Sequence, residues 1–296
     1  MASSTPTVII IVGPTAAGKT AAAIRLARRL RTRIISADSR QCYRELNIGV
    51  AKPTPEELRL VPHYFIDSHS ITEEVTAATF EELALQWTAE IFRESPYAVM
   101  VGGTGLYIRA FTDGLDTIPP VDQAIRSHIR QHFEEHGLGW LQEEIRKYDP
   151  AFFEVGEILN PQRLMRALEV RLSTGQSILS FRTEQRRQRP FGIRIIGLRL
   201  PREQLHRRIN DRTDAMIRDG LVEEVKHLLP YRAHNALQTV GYKEIFQYLD
   251  GKCSLDAAIT SIKTNTRQYA KRQLTWFHRD LSVQWVDAEV PLETLL

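Results

Sequence analysis

The feature that most constrains this chain is a short loop near its start, Gly13-Pro14-Thr15-Ala16-Ala17-Gly18-Lys19-Thr20. It follows the apolar run Val8-Ile9-Ile10-Ile11-Val12 and precedes Ala21-Ala22-Ala23-Ile24-Arg25-Leu26-Ala27. Strand, glycine-rich turn and helix in that order give the phosphate-binding pattern G-x-x-x-x-G-K-[ST] the context it needs. The glycines let successive backbone N–H groups converge on phosphate oxygens at the positive end of the following helix. The pattern predicts an α/β fold: a P-loop NTPase-like core with a parallel sheet flanked by helices. A ligand with linked phosphates, as in nucleotide and ATP sites, is expected there, with Lys19 reaching the outer phosphate and the Thr20 hydroxyl on Mg²⁺.

The rest of the sheet reads from short apolar runs. Arg33–Ala37 is expected as a strand that delivers Asp38-Ser39-Arg40-Gln41 at its C-terminal end, the edge where ligands sit in open α/β sheets. Asp38 has three open roles: Mg²⁺ ligand, general base, or cap of its own turn. A strand is expected over His63–Asp67, and a helix over Thr79–Phe92 from the spacing of Phe80, Leu83, Leu85, Trp87 and Ile91. His63 and His69 have no further ligand cluster nearby and read as structural histidines. Tyr97–Val101 reads as a buried strand running into Gly102-Gly103-Thr104-Gly105, either a close backbone approach to ligand or a plain glycine turn. Thr104 is expected on the same edge as Lys19 and Asp38.

From Asp116 to about Arg189 the pattern is helical, which predicts an all-helical insertion facing the substrate. The expected organisation is 1–117 for the first part of the core, 118–189 for the insertion and 190–296 for the second part with basic C-terminal helices. A net charge of +3 hides local bias. Arg182, Arg186, Arg187 and Arg189 face Glu184 alone, Arg207, Arg208 and Arg212 follow, and no acid occurs between Ala257 and Arg279. There Lys263, Arg267 and Lys271, spaced by four, form one basic helical stripe, opposed by Ile259, Ile262, Thr266, Tyr269, Ala270 and Leu274 as the buried one. A nucleic-acid backbone fits such a stripe, although a solvated face is the plainer reading. Cys42 and Cys253 read as free thiols. No apolar run approaches the roughly 20 residues of a membrane span, and a cytoplasmic location is expected.

An NTPase motor would show a second apolar strand ending in a metal-binding acid, but Val99–Val101 runs into glycine. A small-molecule kinase with Arg208 and Arg212 as a lid stays open. The same parts would equally stabilise a departing diphosphate while carbon is attacked.

Several further runs occur in a specific order: Asp38-Ser39-Arg40-Gln41-Cys42-Tyr43, Ala51-Lys52-Pro53-Thr54, Val101-Gly102-Gly103-Thr104-Gly105-Leu106-Tyr107-Ile108 and Arg163-Leu164-Met165-Arg166-Ala167-Leu168-Glu169-Val170. They continue with Val240-Gly241-Tyr242-Lys243-Glu244 and Ala270-Lys271-Arg272-Gln273-Leu274-Thr275-Trp276-Phe277. With the phosphate loop, this series resembles the tRNA dimethylallyltransferase (tRNA isopentenyltransferase) family over nearly the whole chain. The resemblance implies transfer of a dimethylallyl group from dimethylallyl diphosphate to the exocyclic N6 amine of the adenine 3′ of a tRNA anticodon, in tRNAs reading codons that begin with U. By that resemblance Asp38 is the catalytic base and Thr104 positions the adenine. Gly13, Pro14, Thr15, Ala16, Ala17, Gly18, Lys19, Thr20 and Arg212 hold the diphosphate with Mg²⁺. Asp38, Ser39, Arg40, Gln41, Thr104, Arg126, Gln162, Arg163, Leu164, Met165 and Arg166 then match tRNA-contacting positions, joined by the Lys263, Arg267 and Lys271 stripe. Expected partners are tRNA, through its anticodon arm, and dimethylallyl diphosphate, with no membrane and a monomeric chain. The chain departs from the family's usual residues at Arg40, Cys42, Val50, Tyr64 and Pro161. A transferase acting on free adenosine phosphates, a kinase and a non-enzymatic RNA-binding protein are the alternatives.

Overall fold

The computed structural model describes residues 5–183 and 185–294; Glu184, the one acid of the Arg182–Arg189 stretch, lies outside the described residues. The elements run β1 (Thr7–Val12), α1 (Lys19–Leu30), β2 (Ile34–Ser36), α2 (Pro55–Leu60), β3 (His63–Tyr64), α3 (Ala77–Ile91), β4 (Tyr97–Val101) and α4 (Gly105–Asp113). Next come α5 (Gln123–Tyr148), α6 (Pro150–Val155), α7 (Pro161–Thr174), β5 (Gly192–Arg199), α8 (Arg202–Arg218), α9 (Leu221–His227), α10 (Tyr242–Leu249), α11 (Leu255–His278) and β6 (Val283–Asp287). The strands form one sheet in the order β3-β2-β4-β1-β5-β6, and every neighbouring pair is parallel.

The continuous apolar run of β1 is what a parallel strand covered on both faces requires. Val8, Ile10 and Val12 face a core with Phe80, Phe111, Tyr242, Ile245 and Phe277, while Ile9 and Ile11 face Ala23, Leu26 and Ala27 of α1. The register sets Ile11 opposite Val101 on one side and Ile196 on the other, with Ser36 opposite Val101. That alignment brings the loops after β1, β2 and β4 to one edge.

β3 stops at Tyr64 rather than running to Asp67, because Phe65 and Asp67 take left-handed φ values of 65° and 52° that no strand continues through. Tyr64, one of the departures from the family pattern, accepts from Arg33 at 2.7 Å and donates to Glu90 at 2.5 Å, a tie far in sequence from the phosphate loop. In α3, Leu83, Leu85 and Trp87 are only partly buried, and Glu81 lies in the interior instead. Glu81 pairs with Arg189 at 2.7 Å, and Arg189 also donates to the carbonyls of Phe111 and Ala110, the last turn of α4.

Two compact units emerge, one running through Thr112 and resuming at Gln188, the other Asp113–Arg187. The Arg187 N–H donates to the Asp113 carbonyl at 2.8 Å, so the second unit closes on itself there, whereas the Arg189 side chain belongs to the first. In the second unit α5 breaks at Gly137, whose φ is 73°. Its two halves pack with α7 around Ile129, Leu141, Ile145, Leu164 and Leu168. Asn160 caps α7 by accepting the Arg163 N–H at 3.3 Å, and Pro161 takes the first helical position, so that departure suits a helix start. Among the described residues no helix is long and apolar enough to cross a membrane.

Candidate active site

β1 ends at Val12 and α1 begins at Lys19, so the phosphate loop occupies the turn the sequence assigns it. The loop, the turn after β2 and the helix α8 line one cavity of about 460 Å³, with Thr15, Lys19, Thr20, Asp38 and Arg212 on its wall. Arg212 Nη1 donates to Thr15 Oγ1 at 3.4 Å, and Lys19 Nζ donates to the Pro14 carbonyl at 2.8 Å. Burial pulls the Lys19 ammonium down to about 8; Asp38 opposes that shift and Arg212 adds to it. The Arg212 guanidinium is likewise lowered by burial and supported by Asp38. The Asp38 carboxylate beside the buried Lys19 and Arg212 cations gives the electrostatics expected of a site built for a polyanion.

Asp38 does act as a cap: its Oδ1 accepts the Arg40 N–H at 2.9 Å and the Gln41 N–H at 3.4 Å. The second oxygen, Oδ2, has no hydrogen-bond partner among the described residues. Thr104 Oγ1 accepts the Ser39 N–H at 3.0 Å, which ties the turn after β4 to the turn after β2. Thr20 offers a hydroxyl to the same cavity. Oxygen donors of this kind suit Mg²⁺, which prefers hard ligands. The His132, Glu135 and His136 group, whose ligating atoms lie within 4.8 Å of one another on α5, is histidine-rich and belongs to the other unit.

A second cavity, of about 560 Å³, shares Arg40, Thr239, Val240 and Tyr269 with the first and adds Ser39, Lys243 and Arg272. Arg40 thus stands at both. Gln41 lines the first cavity alone, with its amide committed to the Val50 and Ala51 carbonyls, at 3.3 and 3.0 Å, and its oxygen to Ser36. Cys42 is fully buried, and burial pushes its thiol up to about 12.

Other expected contact residues are redistributed. Lys263 pairs with Asp214 at 2.6 Å and Arg267 donates to Asn210 at 2.8 Å, so both lean on α8, while Lys271, the third member of the expected basic stripe, is exposed. The opposing stripe is corrected too: the buried face of α11 is Ala258, Ile262, Ala270, Gln273 and Phe277, while Tyr269 lines the cavities. Leu164 and Met165, expected to face RNA, are buried, because the apolar side of α7 points into the second unit's core. Gln162 is exposed, Arg163 pairs with Glu157 at 2.6 Å, and Arg126 and Arg166 each lie 3.5 Å from the buried carboxylate of Glu169.

Sequence reasoning missed three tethers. Glu224 accepts the N–H groups of Ile48 and Gly49 at 2.8 and 3.1 Å and the Tyr242 hydroxyl at 2.6 Å, fixing the loop that carries Val50. The Lys52 ammonium donates to the Tyr43 carbonyl at 2.7 Å and pairs with Asp67. The Gln273 amide reaches both the phosphate loop and the turn after β4. The last two belong to runs that carry the family resemblance, the one signal that marked them.

The sequence pattern of the family described as IPP transferase matches residues 41–280. The tRNA dimethylallyltransferase of Christiangramia forsetii is 47% identical over 94% of this chain and 92% of its own length, and that of Cytophaga hutchinsonii 46% identical over 94% and 91%. Among solved structures, the full-length tRNA isopentenylpyrophosphate transferase of Bacillus halodurans superposes with a TM-score of 0.70 at 38% identity, over 96% of this chain and 90% of that one. A eukaryotic dimethylallyltransferase acting on tRNA gives 0.79 at 27% identity, over 97% and 74%.

Proposed function

Because the chain belongs to the IPP transferase family and is an enzyme that transfers a dimethylallyl group to tRNA, we propose that its acceptor is the exocyclic N6 amine of the adenine just 3′ of the anticodon, in tRNAs reading codons that begin with U. The donor is dimethylallyl diphosphate. The observation that carries this reading is the single cavity in which Lys19, Thr20 and Arg212 stand with the Asp38 carboxylate. Cations alone would suit any diphosphate; a carboxylate oxygen beside them gives a proton somewhere to go.

In the transfer, the amine lone pair forms the new C–N bond as the C–O bond to the diphosphate breaks. The bonding pair leaves on the diphosphate oxygen, and the amine proton passes to Asp38 Oδ2. Lys19, Arg212 and the N–H groups of Gly18, Lys19 and Thr20 at the start of α1 stabilise the charge that develops on the leaving group. Thr20, whose hydroxyl lines this cavity, would hold Mg²⁺, which would supply further charge neutralisation. An adenine amine is a poor nucleophile, so its alignment with the allylic carbon matters as much as proton removal. Thr104, held to Ser39, is the residue that aligns it.

The adenine must leave its stack to reach Asp38, at a cost of a few kcal/mol that backbone contacts offset. Ser39, Arg40, Lys263, Arg267 and Lys271 of the first unit and Arg126, Gln162, Arg163 and Arg166 of the second make those contacts. The enzyme works in the cytoplasm as a monomer.

Asp38→Asn tests the assignment. Transfer of labelled dimethylallyl to unmodified tRNA is expected to fall by about 10²- to 10⁴-fold, the usual worth of a general base, with donor affinity held within a few-fold. Loss of donor binding instead would make Asp38 a metal ligand.

A further inference from the structure

We propose that Gln273, on α11, is a positioning residue for prenyl transfer: its side-chain amide holds the donor-side phosphate loop and the acceptor-side turn after β4 in one register. The inference rests on the reading of the site given above.

Gln273 is only 6% exposed, yet it carries no charge to neutralise and touches no reacting atom. Its Oε1 accepts the Thr15 N–H at 2.8 Å and its Nε2 donates to the Gly103 carbonyl at 3.0 Å. Both ends of one rigid, planar group are therefore used, each on a different catalytic loop. From Thr15 the link continues to Arg212, and from Gly103 to its neighbour Thr104, which is bonded to Ser39 beside Asp38. No direct hydrogen bond joins the phosphate loop to the Gly102–Gly105 turn among the described residues beyond the Gly102 N–H to Ile11 at 3.2 Å, which lies below the loop in β1. The amide is thus the bracing element at the level of the chemistry.

Gly103 shows the fit from the other side. A Cβ there would come within 2.1 Å of Gln273 Nε2 and 3.2 Å of its Cδ, and the next neighbour, the Gly13 carbonyl, is 3.8 Å away. Alanine at this position therefore meets one obstacle, the amide itself. A displaced amide loses both bonds and leaves the half-buried Thr15 N–H and the buried Gly103 carbonyl without that partner.

The test compares Gly103→Ala, Gln273→Ala, the double variant and Gln273→Met with the wild type. It measures kcat and KM with dimethylallyl diphosphate and unmodified tRNA, and thermal unfolding alongside. Each of Gly103→Ala, Gln273→Ala and Gln273→Met is expected to lower kcat at saturating substrates by about tenfold or more, with proteins still folded at the assay temperature, since misplacement acts on the chemical step. The double variant is expected to be no slower than the worse single, because alanine at 103 occupies the room the shortened side chain leaves. A mere space-filling role predicts that Gln273→Met stays within twofold of wild type; that result, an unaffected Gly103→Ala, or losses that multiply in the double variant would each overturn the proposal. Should Gln273→Ala fail to fold, Gly103→Ala and Gln273→Met decide it. A wild type that leaves tRNA unmodified refutes the underlying reading, and the inference with it.

Discussion

Lys19 is asked to be charged where charge is costly. Burial lowers it to about 8, and a bound diphosphate restores its ordinary value by supplying the missing counter-charge. Binding therefore takes up a proton near and above that pH. Donor affinity is expected to be level from about pH 7, above the last ionisation of a terminal phosphate near 6, to about pH 8, where Lys19 is charged with or without ligand, and to fall as pH rises from there toward the higher value of the bound state. Calorimetric titration of the donor across this range, in two buffers of different ionisation enthalpy, checks both the fall and the proton uptake. Lys19→Met should bind more weakly and lack that decline. The family departures sort by the same local accounting. Tyr64 and Pro161 serve the fold, Cys42 is an interior side chain, and Arg40 and Val50 alone among the five line the cavity, so acceptor preference concentrates there.

At the level of elements, what decides the outcome is which helix faces which. Glu81 lies on α3 but is only about a tenth exposed at its side chain, and its partner Arg189 closes the carbonyl end of α4. Removing one member of a buried pair strands the other, so Glu81→Gln is expected to cost about 3 kcal/mol in a urea titration. A cost below about 1 kcal/mol, the range of a surface pair, would show the site relaxes. The phosphate loop, the Asp38 turn and the glycine turn after β4 were legible because each is a local pattern in which strand, turn and helix signals follow one another. The α11 stripe misled for a matching reason. An acid-free helix looks unpaired in sequence, yet Asp214 and Asn210 come from α8. Leu164 and Met165 show the converse, since a run matched by resemblance carries core residues along with contact residues.

Across the whole molecule, the loop near the start is completed by a helix near the end. Thr15 and Gln273 lie 258 residues apart, a pairing no spacing rule reaches, whereas the parallel sheet that carries the loop was readable in the loop and its flanking runs. The second unit contributes a different kind of order. Its buried Glu169 holds Arg126 and Arg166 together, as a preset pair of guanidiniums suited to phosphate. A small free acceptor would need none of this, and the choice between RNA and a free nucleotide is therefore the most direct trial. The measurement is a competition: labelled dimethylallyl diphosphate and Mg²⁺ with unmodified tRNA and AMP together, followed by nucleoside digestion and mass spectrometry. The account predicts label on N6 of the adenine 3′ of the anticodon, one diphosphate released per group transferred, and AMP left unmodified. Label on AMP with tRNA untouched would contradict it.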